Sequence, residues 1–137
     1  MSLVLDCSAT LAWIFPDETT LPIRALFAQV IQAGAFVPDL WRLEVANCLT
    51  VAVRRGRITA ADRRESLTDL NDLPISIDNQ TGRHAWTRTV AIADKHSLTV
   101  YDATYLELAM RLSFPLATLD ADLRKAAKAE GVALLGM

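Results

Sequence analysis

Short apolar runs alternate with helix-period segments along the chain. Residues 3–5, Leu-Val-Leu, read as a buried strand stopped by Asp6. Thr20 is placed to cap a helix that carries Pro22 in its first turn and runs to Ala33, with Gly34 as its stop. Residues 35–37 form a second strand, and a helix opening at Asp39 or Leu40 runs to Arg55 before Gly56. Thr59-Ala60-Ala61-Asp62 resembles a capping box with Asp in place of Glu. Residues 74–77 alternate as a strand, helices are predicted over 83–95 and 103–112, and 116–119 is a fourth strand. A helix over 121–130 and a strand over 132–135 close the chain. Apolar strands separated by helices predict an α/β fold, a short central parallel sheet covered on both faces.

Against that pattern, four acids stand out: Asp6, Glu44, Asp102 and Asp120 each interrupt an apolar stretch. Such an acid costs free energy unless it is paired, hydrogen-bonded or bound to a cation. No matching set of apolar-flanked Lys or Arg is present. Asp6, Asp102 and Asp120 each precede a helical pattern, so capping alone accounts for them equally well. Capping does not account for Glu44, which lies inside an apolar helix and faces Asn47. Carboxylates gathered in one pocket repel, and a hard divalent ion relieves that repulsion. Four acids without clustered His suit Mg²⁺ or Mn²⁺ better than Zn²⁺. Asp6 and Asp120 follow strands, where ligands of open α/β sheets bind. Ser8 and Thr118 lie close enough in sequence to orient the acids from a second layer, as does Asn47. Asp122 reads as a first-turn dipole partner, Tyr105 as core packing, and His96 as dipole stabilisation at a helix end.

Composition narrows the picture. The chain has 137 residues, a 52% hydrophobic content and 22% charged residues, which is ordinary for one globular domain. No apolar run spans a bilayer, and the N-terminus lacks the basic and apolar regions of a secretory signal, so a cytoplasmic protein is expected. Cys7 and Cys48 form no CxxC pair and are expected to be reduced and buried. A net charge of −2 argues against a sequence-independent nucleic-acid coat. The basic turn of Arg54, Arg55 and Arg57 reads first as a solvated face and second as a phosphate contact. Leu11, Trp13, Ile14 and Phe15 are core by default, or part of an interface.

Taken together, Leu3-Val4-Leu5-Asp6-Cys7-Ser8-Ala9, Glu44-Val45-Ala46-Asn47, Val100-Tyr101-Asp102-Ala103 and Ala117-Thr118-Leu119-Asp120 resemble the PIN-domain ribonucleases, in particular the VapC-type toxins. The resemblance covers essentially the whole chain. It implies a three-layer α/β/α PIN-like domain over residues 1–137, with Asp6, Glu44, Asp102 and Asp120 as metal-binding catalytic acids. It also implies a Mg²⁺- or Mn²⁺-dependent endoribonuclease acting on RNA through an activated water, a homodimer, and a cognate antitoxin as partner. The opposing expectation is a non-catalytic interaction module of the same fold, whose acids only cap helices.

Overall fold

Leu3, Val4 and Leu5 are completely buried, and in the computed structural model, which describes residues 1–137, they begin the central strand of a sheet. The elements follow as β1 (Val4–Leu5), α1 (Cys7–Ile14), α2 (Leu21–Ala33), β2 (Ala35–Pro38), α3 (Trp41–Arg54) and α4 (Ala60–Asn71). The second half comprises β3 (Ile75–Asp78), α5 (Thr81–His84), α6 (Val90–His96), α7 (Val100–Leu112), β4 (Leu116–Ala117), α8 (Ala121–Ala129) and β5 (Leu134–Leu135). All strand pairs are parallel, in the order β3-β2-β1-β4-β5. Right-handed crossovers put α1–α4 on one face and α5–α8 on the other. The result is the three-layer arrangement.

Val4 registers with Phe36 on one side and Leu116 on the other. The chain therefore leaves β1 toward β2 first and returns later to β1's other edge. That reversal opens a crevice between the carboxyl ends of β1 and β4. Asp6 follows β1, and Thr118 and Asp120 follow β4, so topology brings them to one place.

Helix α7 is the main covering element, buried without a break from Ala103 to Ala109 and packed on β1, β2 and β4. Its start differs from expectation. Val100 begins the helix, and the Thr99 hydroxyl caps it by accepting from the Asp102 N–H at 3.0 Å. Asp102 thus sits inside the first turn and is not the cap. The helix predicted over 83–95 is instead α5, a π-helical turn over Ala85–Thr89, and α6. β4 pairs over fewer residues than the apolar run suggested, because the Leu119 N–H turns to the Ser8 hydroxyl at 2.9 Å. The residues that leave the ladder are used by the site.

Leu11, Trp13 and Ile14 pack against the core and Phe15 is within it; Trp13 stacks on Phe27 at 4.4 Å between ring centroids. Arg57 lies over the Phe15 ring at 3.8 Å and pairs with Asp17 and Glu18. It is tied into the structure by these contacts. No helix is long and apolar enough to cross a membrane.

Candidate active site

Asp6 is the most deeply set of the acids, 4% exposed. It caps α1, accepting from the Ala9 N–H at 2.9 Å and from the Ser8 hydroxyl at 2.7 Å. Thr118, itself fully buried, donates its hydroxyl to the other carboxylate oxygen. Both hydroxyls are held in turn, since Ser8 Oγ accepts from the Leu119 N–H and Thr118 Oγ1 from the Asp120 N–H. Below, the Thr10 hydroxyl donates to the Asp6 carbonyl at 2.7 Å, and the Trp41 indole N–H donates to Thr10 at 3.1 Å. A carboxylate gripped at so many points has little rotamer freedom.

Glu44 lies in the first turn of α3, half-buried, and accepts the Tyr105 hydroxyl proton at Oε1. Tyr105 therefore does more than pack the core. It is three residues beyond Asp102 on α7, so one helix face presents both the acid and the group that holds its neighbour. The signal was available in the sequence as a hydroxyl at a position whose flanks are buried. Asn47, by contrast, is exposed and makes no hydrogen bond to Glu44. Asp120 is exposed and caps α8, accepting from the Leu123 N–H at 2.8 Å. Capping thus explains Asp6 and Asp120 in part, but neither Asp102 nor Glu44.

Electrostatics joins the acids into one group. Burial pushes the Asp6 carboxyl up from 3.8 to about 6, against the Ala9, Thr118 and Ser8 hydrogen bonds, with a further upward push from Asp102. Glu44 is raised by burial, opposed by the Tyr105 hydroxyl and reinforced by Asp102. Asp102 is raised by burial and by the charges of Asp120 and Asp122, with Thr99 opposing. Asp102 is the hub, within electrostatic reach of every other acid. Asp122 lies close enough to act on it, which the reading as a helix-dipole partner alone did not include. The donors fit a hard divalent cation, being carboxylates whose mutual charge a cation would neutralise. As folded, no three or more His, Cys, Asp or Glu side chains are grouped so as to hold an ion. The set is a neighbourhood of charges and not a finished cage.

Raised carboxyl values carry a stability consequence with a definite sign. A folded-state value above the unfolded one contributes stability below pH ~4 that is lost as pH rises through ~6. For Asp6 the loss is on the order of 3 kcal/mol. Asp78, where burial is outweighed by Arg111 and the Gln80 N–H, and Glu130, held down by His96 and Lys95, are lowered and act in the opposite sense at more acid pH. In chelator, the melting temperature is expected to be higher at pH 5 than at pH 7, and saturating Mn²⁺ should erase that difference. A flat profile in chelator would contradict the coupled-acid picture.

The remaining candidates fall elsewhere. Arg54 ends α3, about 15 Å from Glu44 at the rise of an α-helix, so the basic turn is away from the acids. His96 does lie at the end of α6, but its ring is engaged, with Nε2 2.9 Å from Glu130. Cys7 and Cys48 are free and half-buried, less enclosed than the sequence suggested, with their sulfurs 4.0 Å apart.

Comparison with known proteins agrees with this geometry. The PIN domain family profile matches residues 3–129. Ribonuclease VapC3 of Pyrobaculum aerophilum is 32% identical over 123 residues, which is 90% of this chain and 92% of that protein. The crystal structure of PAE2754 from Pyrobaculum aerophilum superposes with a TM-score of 0.71 at 23% identity, covering 98% of this chain and 89% of the other. FitAcB from Neisseria gonorrhoeae gives a TM-score of 0.66 at 16% identity, over 98% of this chain and 96% of that one. These two structures speak to the fold.

Proposed function

The chain belongs to the PIN-domain family, and from that premise we propose that it is a divalent-metal-dependent endoribonuclease, the toxin of a toxin–antitoxin pair. The observation that carries this reading is the Asp6 carboxylate clamped by Ser8 and Thr118 where β1 and β4 end, with Glu44 held by Tyr105 and Asp102 one turn before Tyr105 on α7. A single PIN-like unit over residues 1–137, cytoplasmic, homodimeric and held silent by a cognate antitoxin, accompanies that activity. The name of the VapC relative supports the ribonuclease assignment, and that kinship supports the antitoxin partner.

Asp6, Glu44, Asp102 and Asp120 would hold Mg²⁺ or Mn²⁺. Bound there, the ion would supply positive charge to the scissile phosphate and lower the pKa of water. This chain's residues do the positioning. Ser8 and Thr118 fix the plane of the Asp6 carboxylate, so that acid is ready without reorganisation. Tyr105 does the same for Glu44. Asp120 stands at the exposed rim, where an RNA strand can approach. The near-neutral net charge suits gripping one RNA through the ion more than coating many.

Inducing the wild-type chain without antitoxin in a bacterial host, beside Asp102→Asn, tests the reading. Growth arrest with discrete new RNA 5′ ends in the wild type alone is the expected result. Equal growth of both, with soluble protein confirmed, would leave the interaction module as the better account. A narrower expectation concerns Tyr105→Phe: with the fold retained, Mn²⁺ affinity should weaken about 10–100-fold, as loss of an outer hydrogen-bonding partner does. Calorimetric titration measures it, and unchanged affinity would remove Tyr105 from the site.

A further inference from the structure

We propose that the cavity between the end of α6 and one face of α8 seats a backbone phosphate of the RNA strand, with Lys125 as its cation and the Ser97 hydroxyl as a donor. The seat rests on the ribonuclease reading and deepens it, since it is a second point at which the chain holds its substrate. Asp122, Lys125, Ala126 and Ala129 recur at helical spacing on α8 and form one wall. The two small alanines leave room beside the helix, and they are the only apolar residues lining a cavity of about 420 Å³. Lys95, His96 and Ser97, at the end of α6, form the other wall. Glu130 sets the spacing of the walls, with Lys95 at 3.0 Å and His96 at 2.9 Å.

Charge and position select the ligand. The Lys95 charge is already matched by Glu130, whereas Lys125 takes part in none of the chain's ion pairs. Ser97 ends α6 in the left-handed region at φ 54°, and its hydroxyl makes no hydrogen bond within the chain. An ammonium and a free hydroxyl are both donors to a phosphate oxygen. The cavity adjoins the acid pocket along two paths. Asp122 lines it and acts electrostatically on Asp102, while Ser97 is two residues before Thr99, the cap of α7. Asp122 is the one acid of the lining and stands at the end nearest Asp102, so the positive charge lies beyond it. At the rise of an α-helix, Lys125 is about 8 Å along α8 from Asp120. A strand held at the acids by one phosphate therefore brings a neighbouring phosphate to this cavity. Linkage also favours the strand over free phosphate, because a tethered group binds at a high effective concentration that one exposed ammonium needs.

The test is fluorescence anisotropy with a labelled, mixed-sequence single-stranded RNA and the full-length protein, in Mg²⁺ and over a series of salt concentrations. Every protein in the set carries Asp102→Asn, so that the strand stays whole. Adding Lys125→Gln is expected to weaken binding about fivefold and to lower the slope of log affinity against log salt by about 0.7, the share of one phosphate contact on a single strand. Lys125→Arg should retain both affinity and slope. Lys128→Gln removes an exposed lysine of the same helix outside the cavity and should change neither. An unchanged slope in Lys125→Gln, or an equal loss in Lys128→Gln, would overturn the seat while leaving the ribonuclease reading in place. A parent protein that binds no RNA would also overturn the seat, and the growth and RNA-end comparison of the wild type then decides the reading separately.

Discussion

Asp102→Asn is expected to lower RNA cleavage by about 10³-fold or more while the protein remains folded. The substitution keeps shape and removes charge at the acid that acts on both Asp6 and Glu44. Its consequence for stability should have the reverse sign. In chelator, Asp102 pushes up the carboxyls of Asp6 and Glu44 and is itself pushed up by Asp120 and Asp122. Removing that charge relieves repulsion, so the metal-free variant should melt no lower than wild type near pH 7. Loss of function with unchanged or increased stability is the signature of a group held in an unfavourable place for a functional reason. Glu44→Gln should behave alike in cleavage. Full activity in either variant, assayed on RNA with Mg²⁺, would sink the proposed mechanism, whereas lost activity with a large melting decrease would point to damage of the fold.

The largest effect on stability is expected elsewhere, at Arg111. Its guanidinium spans two carboxylates, reaching Asp78 at 2.6 Å and Glu107 at 3.0 Å. The partners' side chains are 9% and 3% exposed, respectively, and that of Arg111 17%. Asp78 and Glu107 together hold the Arg111 proton well above its usual range, against the cost of burial. Arg111→Ala would leave two enclosed carboxylates unpaired, a change that costs about 3–5 kcal/mol. For a domain of this size that is a melting decrease of about 10–20 °C. Lys at this position should recover little, because one ammonium cannot reproduce a fork engaged by both partners. Apolar replacement of Arg111, Asp78 and Glu107 together should recover much of the loss, since the cost comes from the orphaned charges. Thermal melts of the single and triple variants decide this; a decrease of under ~1 kcal/mol for Arg111→Ala would show that the pair behaves as a surface ion pair.

The Arg111 network also bears on the site. Asp78 closes edge strand β3 and accepts from the Thr81 hydroxyl and the Gln80 N–H. The Thr81 hydroxyl in turn accepts from the Asp39 N–H at 3.0 Å, just before α3. Arg111 thus fastens the end of α7 to the segment that precedes Glu44. Helix α7 carries Asp102 and Tyr105, so one ion-pair network steadies two parts of the acid pocket.

Local pattern determined the alternation of strands and helices, because apolar runs, caps and glycine stops act within a few residues. It also singled out Asp6, Glu44, Asp102 and Asp120, since an acid among apolar neighbours conflicts with burial wherever the chain folds. Ser8 and Thr118 were legible for the same reason, each lying two residues from an acid. Three-dimensional packing decided what no local pattern contains. Tyr105 belongs to Glu44 because the fold brings α7 within hydrogen-bond reach of the first turn of α3, a contact between residues 61 positions apart. Cys7 meets Cys48 because α1 packs on α3, and Arg111 meets Asp78 because α7 runs back beside the edge strand. The exposed position of Asn47 and the cap at Thr99 were likewise settled by how the helices seat. Periodicity reports which residues are buried; the direction of a side chain across an interface depends on helix rotation and crossing, which only the assembled layers fix.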